Sequence, residues 1–244
     1  MNIRVFDNEL QAGQAAALLI AAQIMAKPES VIGLATGSTP LQAYQELARL
    51  YQAGVLDWGR VTTFNLDEYL GVAPDHDQSY RNFMMRNLFS KVNMRPEAIH
   101  VPNGKAADPA AECLAYERDI RAAGGVDLQL LGLGRNGHIG FNEPASEFVP
   151  LTHVVDLTDD TIDANARFFS KAADVPKQAL SMGIGTIMQA RQVVMIVTGA
   201  NKARAVRAMV QGAIDPQCQG SILQAHAHVT VLLDRPAAAA LNNR

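Results

Sequence analysis

Val126-Asp-Leu-Gln-Leu-Leu-Gly-Leu133 runs directly into Gly134-Arg-Asn136-Gly-His138-Ile-Gly-Phe-Asn-Glu143-Pro144. The first part is an apolar, β-prone run bounded by glycine, the pattern of a strand buried on both faces. The second part mixes glycines with an imidazole, two amides and a carboxylate. Glycine lets a backbone approach a bound molecule closely, and the polar side chains can move protons, so the junction reads as a strand emptying into an active-site loop.

Outward from this junction the same kind of run recurs at Val31-Ile-Gly-Leu-Ala35, Val61-Thr-Thr-Phe-Asn65, 192–197 and 229–233, with a first strand at 1–6. Helical patterns lie between them, around 9–26, 40–52, 78–91, 107–123 and 201–211. Strands alternating with helices predict a single-domain α/β fold: an open, mostly parallel, Rossmann-like sheet with helices on both faces. No repeat, low-complexity tract or Pro/Ser-rich linker divides the chain, so one domain is expected over 1–244.

The 244 residues are 48% hydrophobic and 18% charged, enough to bury a full core. A formal net charge of −3, with no cluster of Lys and Arg, argues against a nucleic-acid partner. The Ala-rich stretch 15–26 is interrupted by Gln23 and followed by Lys27-Pro28, which excludes a signal peptide or membrane span, so no membrane partner is expected. Cys113 and Cys218 are far apart and form no CxxC, consistent with free thiols in a reducing, cytoplasmic setting.

In open α/β sheets ligands collect beyond the carboxyl ends of the strands, where strand order reverses. Three consecutive strand ends here carry polar chemistry. Thr36-Gly37-Ser38-Thr39-Pro40 offers hydroxyls and a helix N-terminus suited to a phosphate, or Ser38 or Thr39 simply caps the helix. It has neither the Lys of a Walker A loop nor a GxGxxG spacing, so a small phosphorylated metabolite fits better than a nucleotide. Asp67 closes the second run, where Phe64, Leu66 and Tyr69 would desolvate it and raise its pKa towards that of a working base; a cap or ion pair is the plainer alternative. His138 can exchange a proton near neutral pH, with Glu143 or Asn136 fixing its tautomer; a Gly-rich turn carrying one surface histidine is the plainer alternative. Arg167 and Lys202 are isolated cations that could clamp a phosphate or merely sit on exposed helix faces. His226-Ala-His228 has strand spacing but no evident third ligand, and no metal is expected.

Taken together, 36–40, Asn65-Leu-Asp67-Glu-Tyr69 and Gly137-His138-Ile-Gly-Phe-Asn-Glu143-Pro144 resemble the glucosamine-6-phosphate deaminase family nearly end to end. The related 6-phosphogluconolactonases share the fold and a GHxA-like loop but do not continue into Phe-Asn-Glu-Pro. The resemblance implies a cofactor-free conversion of glucosamine 6-phosphate to fructose 6-phosphate and ammonia. In it His138 opens the sugar ring, assisted by Glu143 and Asn136, and Asp67 carries the C2 proton to C1. Gly37, Ser38, Thr39, Arg167 and Lys202 hold the phosphate, and 157–177 corresponds to the family's mobile lid.

Two departures stand out. Some family members carry Asp where this chain has Asn136, so an amide takes the place of a carboxylate beside His138. Allosteric members have basic residues shortly after FNEP and a longer tail, whereas this chain reads Leu151-Thr-His153-Val-Val155 and stops at Arg244. A non-allosteric monomer or low-order homo-oligomer is expected. The competing readings are a sugar-lactone hydrolase on the same scaffold, which needs no C2 base, and a sugar-phosphate sensor, which would bring a helix-turn-helix that is not seen before the first strand.

Overall fold

A computed structural model describes residues 1–166, 169, 171 and 175–242. In chain order the elements are β1 (Asn2–Phe6), α1 (Glu9–Ala26), β2 (Val31–Leu34), α2 (Leu41–Gln52), β3 (Thr62–Asn65), β4 (Asp67–Tyr69), α3 (Tyr80–Asn87) and β5 (Ile99–His100). They continue with α4 (Pro109–Ala122), β6 (Leu128–Leu131), β7 (His153–Asp156), α5 (Asp159–Ala166), β8 (Gln178–Ser181), α6 (Ile184–Met188), β9 (Gln192–Val197), α7 (Ala203–Gln211), β10 (Val229–Asp234) and α8 (Arg235–Ala238).

Seven strands form one sheet in the order β1-β10-β9-β6-β2-β3-β5, and every neighbouring pair is parallel. All residues of β2 and β6 are buried, odd and even positions alike, which requires cover on both faces. Helix caps follow from local sequence. The Asn8 side chain accepts the Gln11 N–H to start α1, and Asp108 accepts from Ala110 and Ala111 at the head of α4, where Pro109 needs no donor partner. Helix α4 packs through Tyr116, whose ring meets Phe64 edge-on at 5.6 Å and whose hydroxyl donates to the Asn65 carbonyl at 2.7 Å.

The amino-terminal edge of the sheet is held by one buried carboxylate. Asp127 accepts from Lys27 Nζ at 2.8 Å, from Arg191 Nη1 at 2.9 Å and from the Val31 N–H at 2.8 Å, joining the starts of three strands.

The sheet count, two helix boundaries and the cap of α2 differ from expectation. A second sheet, antiparallel in the order β4-β8-β7, was absent from the sequence reading. Its strands are three or four residues long and carry no alternation strong enough to reveal them. The helix expected over 78–91 is α3 followed by a 3-10 turn at Phe89–Lys91, and α7 starts at Ala203 behind another 3-10 turn, Ala200–Lys202. Neither Ser38 nor Thr39 caps α2: Pro40 occupies the cap position and no side chain bonds there. The two cysteines are free thiols. His226 spends its ring on the backbone, Nε2 at the Ala190 carbonyl and Nδ1 receiving the His228 N–H. Among the described residues no helix is long and apolar enough to cross a membrane.

Candidate active site

The chain winds from β2 outward through β3 to β5, then returns to the other side of β2 with β6, β9 and β10. The reversal falls between β2 and β6, where a cleft of about 190 Å³ opens at the carboxyl ends of the strands. Its walls include Gly37, Ser38 and Thr39 after β2, Asp67 after β3, His138 after β6 and Lys202 after β9. Four adjacent strand ends thus supply one site.

Asp67 owes its position to an abrupt change of sheet. Leu66 donates its N–H to Leu34 in the parallel sheet, while its carbonyl receives the Met182 N–H beside the antiparallel sheet. The next residue opens β4 opposite Ser181. The carboxylate is only 6% exposed, and among the described residues no hydrogen-bond donor is directed at it. Burial, reinforced by the neighbouring Glu68 charge, pushes its pKa up to about 8. Glu68 itself is buried and accepts the N–H groups of Tyr69, Tyr80 and Arg81 at 2.9, 2.9 and 3.1 Å. It thereby fixes the first turn of α3 beneath Asp67 and sets Tyr80 into the cleft wall.

The loop after β6 is pinned from several sides. Asn142 Nδ2 donates to the carbonyls of Ile139 and Met182, the Phe141 N–H reaches Ser181 Oγ at 3.0 Å, and the Gly220 N–H bonds to the Gly137 carbonyl. Gly137 has φ +89, and a Cβ there would stand 2.6 Å from Cys218 Sγ, so both backbone and space demand glycine. The His138 ring lies against the Gly134 backbone, on space that any side chain would occupy. At Gly140 the loop passes so close to β4 that a Cβ would lie 3.6 Å from Asp67 Oδ2. The two strand ends therefore converge.

His138 Nδ1 sits 3.3 Å from Glu143 Oε2, within ion-pair distance but bent away from hydrogen-bond alignment. Asn136 Nδ2 donates to the same oxygen at 2.8 Å, and Asn136 Oδ1 receives the His138 backbone N–H at 3.2 Å. Asn136 therefore steadies Glu143 and the loop rather than touching the imidazole. Burial alone would raise the Glu143 carboxyl, but the adjacent His138 ring and hydrogen bonds from Thr161 and Asn136 outweigh it and hold the pKa at about 2. The result is a permanently charged carboxylate behind a histidine. Asn136 and Glu143 stand behind the cleft wall that His138 forms; Arg167 lies outside the described residues.

A family model described as glucosamine-6-phosphate isomerases/6-phosphogluconolactonase matches residues 8–232. The chain belongs to that family. A glucosamine-6-phosphate deaminase from Halothermothrix orenii is 48% identical over 99% of this chain and 100% of its own length, and one from Clostridioides difficile is 52% identical over 93% and 91%. Among solved structures, a monomeric glucosamine-6-phosphate deaminase superposes with a TM-score of 0.97 at 43% identity, covering 99% of this chain and all of that one. A 6-phosphogluconolactonase from Leishmania guyanensis, 24% identical with a TM-score of 0.75 over 99% of each chain, shares the fold.

Beyond the residues expected from sequence, this family member lines its cleft with Tyr80, Arg135, Asp160 and Thr161. Tyr80 stacks on Phe141, with ring centroids 5.9 Å apart and planes 17° apart. Arg135 pairs with Asp160 at 2.8 Å. The Ser79 cap could have placed Tyr80 at a helix start, but not at a cleft. Thr161 left no local signal at all, because its partner lies eighteen residues back.

Proposed function

We propose that this chain converts glucosamine 6-phosphate to fructose 6-phosphate and ammonia. The observation that carries the reading is the convergence, in one cleft, of a desolvated Asp67 and a His138 backed by the ionised Glu143. Relatives of this length and identity bear the deaminase name, which supports the same substrate.

Ring opening takes the proton from the C1 hydroxyl and returns one to the ring oxygen. His138 is the group for this step: its ring borders the cleft, and Glu143 Oε2, 3.3 Å from Nδ1, orients it. The open aldehyde then loses its C2 proton to Asp67 while its C1 oxygen takes a proton from the neighbouring C2 ammonium, giving a neutral enolamine. Asp67 returns a proton at C1, leaving a C1 hydroxymethyl group and a C2 iminium. Water adds at C2, a proton moves to nitrogen, and ammonia leaves, which completes fructose 6-phosphate. The sum is substrate plus water, with no net oxidation, so neither a nicotinamide nor a metal is needed to balance it. Asp67 suits the middle step because a carboxylate whose pKa is near 8 is a stronger base than one in water, yet remains partly ionised at neutral pH.

The phosphate is assigned to Gly37, Ser38 and Thr39, whose hydroxyls are not used to cap α2, and to Lys202 across the same cleft; the family resemblance adds Arg167. We assign the enzyme to the cytoplasm, acting without an effector, a nucleic acid or a membrane, as a monomer or low-order oligomer. The net charge of −3, the free thiols, the non-basic stretch at 151–155 and the monomeric structural relative support this.

The decisive experiment measures ammonia from glucosamine 6-phosphate and, in parallel, hydrolysis of 6-phosphogluconolactone. Turnover of the first is expected; turnover of the lactone alone would replace this reading with the hydrolase. In deuterated water, Asp67→Asn is expected to stop label entering C1 of the product and to cut kcat at least about a hundredfold. Residual turnover above about a tenth of wild type would unseat Asp67 as the base.

A further inference from the structure

Helix α5 begins within reach of the acid–base pair. The Thr161 hydroxyl donates to Glu143 Oε1, the carboxylate oxygen facing away from His138. Its own oxygen receives the hydroxyl of Thr158, the residue just before α5, at 3.3 Å, so the donor to the carboxylate is itself held in place. Thr161 is 2% exposed and stands in the cleft wall. One residue earlier, Asp160 accepts from Arg135 through its carboxylate at 2.8 Å and its carbonyl at 3.0 Å. The first turn of α5 is thus attached to the His138 loop at two points. The ion pair is half-exposed and carries little energy. The buried Thr161 bond is the one that matters.

We propose that Thr161 is a positioning residue for the reaction, its hydroxyl orienting the Glu143 carboxylate towards His138 and so tying the placement of α5 to proton transfer at the sugar ring. An ionised carboxylate only accepts hydrogen bonds, and its orientation is set by the donors on its two oxygens. Asn136 donates to Oε2, which faces His138 Nδ1 at 3.3 Å, while Thr161 donates to Oε1, and these opposed donors leave the group one rotation. Without the hydroxyl, Oε1 becomes a buried acceptor with nothing to bond, and the carboxylate is driven to turn for compensation. Oε2 then moves off Nδ1, and the imidazole loses the neighbour that fixes its orientation. Because Thr161 also borders the cleft, a ligand that shifts α5 acts on the same bond.

This inference rests on the deaminase reading, and its test separates the two. Thr161→Val preserves shape and removes the donor; Thr161→Ser preserves the donor and removes a methyl group. With wild type releasing ammonia, T161V is expected to lose between about tenfold and a hundredfold in kcat with KM within a factor of two, and T161S to recover most of that loss. The His138 ring nitrogen resonances at fixed pH should move in T161V and stay in place in T161S. Should T161V fail to fold, T161A against T161S serves the same comparison. Equal turnover and unmoved His138 resonances in T161V, or a T161S as impaired as T161V, would overturn the role. A wild type that releases no ammonia would instead remove the deaminase reading, while the His138 resonances still report whether Thr161 governs the pair.

Discussion

Asp67 illustrates how a buried carboxylate is placed at a cost to the fold. Its folded pKa, about 8, lies above the ordinary 3.8, so the folded state holds a proton that the unfolded chain releases. The associated stability is complete below about pH 4, declines between about 4 and 8, and is gone above the folded pKa. Asp67→Asn has no such proton to lose. The melting temperature of wild type is therefore expected to fall relative to D67N as pH rises from 5 to 9, read by calorimetry; parallel curves would mean the carboxyl is not perturbed. The same value predicts that kcat/KM climbs with pH towards about 8. A second residue test concerns space. Gly134→Ala puts a methyl group where the His138 ring lies, and is expected to cut kcat by at least about tenfold while costing about 1–3 kcal/mol of stability.

Elements supply the electrostatics around these side chains. Glu68 ties β4 to the start of α3 and adds a negative charge beside Asp67. Glu68→Gln is expected to move the acidic limb of the kcat/KM profile to lower pH, because the charge that raises Asp67 is gone; an unmoved limb would assign the shift to burial alone. How much of this was legible in sequence follows the same physics. Strands β2 and β6 announce themselves because burial on both faces demands mostly apolar runs, and the polar residues after them stand out against that background. Asp67, His138 and the 36–40 loop were visible for that reason. The β4-β8-β7 sheet was not, because Asp-Glu-Tyr acquires strand character only by pairing with a segment more than a hundred residues away. Thr161 and Tyr80 stayed hidden for a related reason: each becomes part of the site through a long-range contact, and neither residue type is unusual at a helix start.

The molecule as a whole separates endurance from chemistry along the strand axis. Asp127 gathers Lys27, Arg191 and Val31 at the amino-terminal edge, opposite the cleft. Asp127→Asn leaves buried and half-buried donors with a weaker partner, and is expected to cost about 2 kcal/mol, or about 4–8 °C in melting temperature, with kcat unchanged. A fall in kcat that outlasts correction for unfolded protein would show that the two edges communicate. The backbone of Leu66 works the other way, since its N–H is bonded to Leu34 in the parallel sheet and its carbonyl to Met182 just past the end of antiparallel strand β8. Neither sheet can slide without breaking one of those bonds, so the residue that follows is anchored like a nail through two boards. Evolution on this scaffold can change what position 67 does by replacing its side chain, but it has almost no freedom to move the position itself.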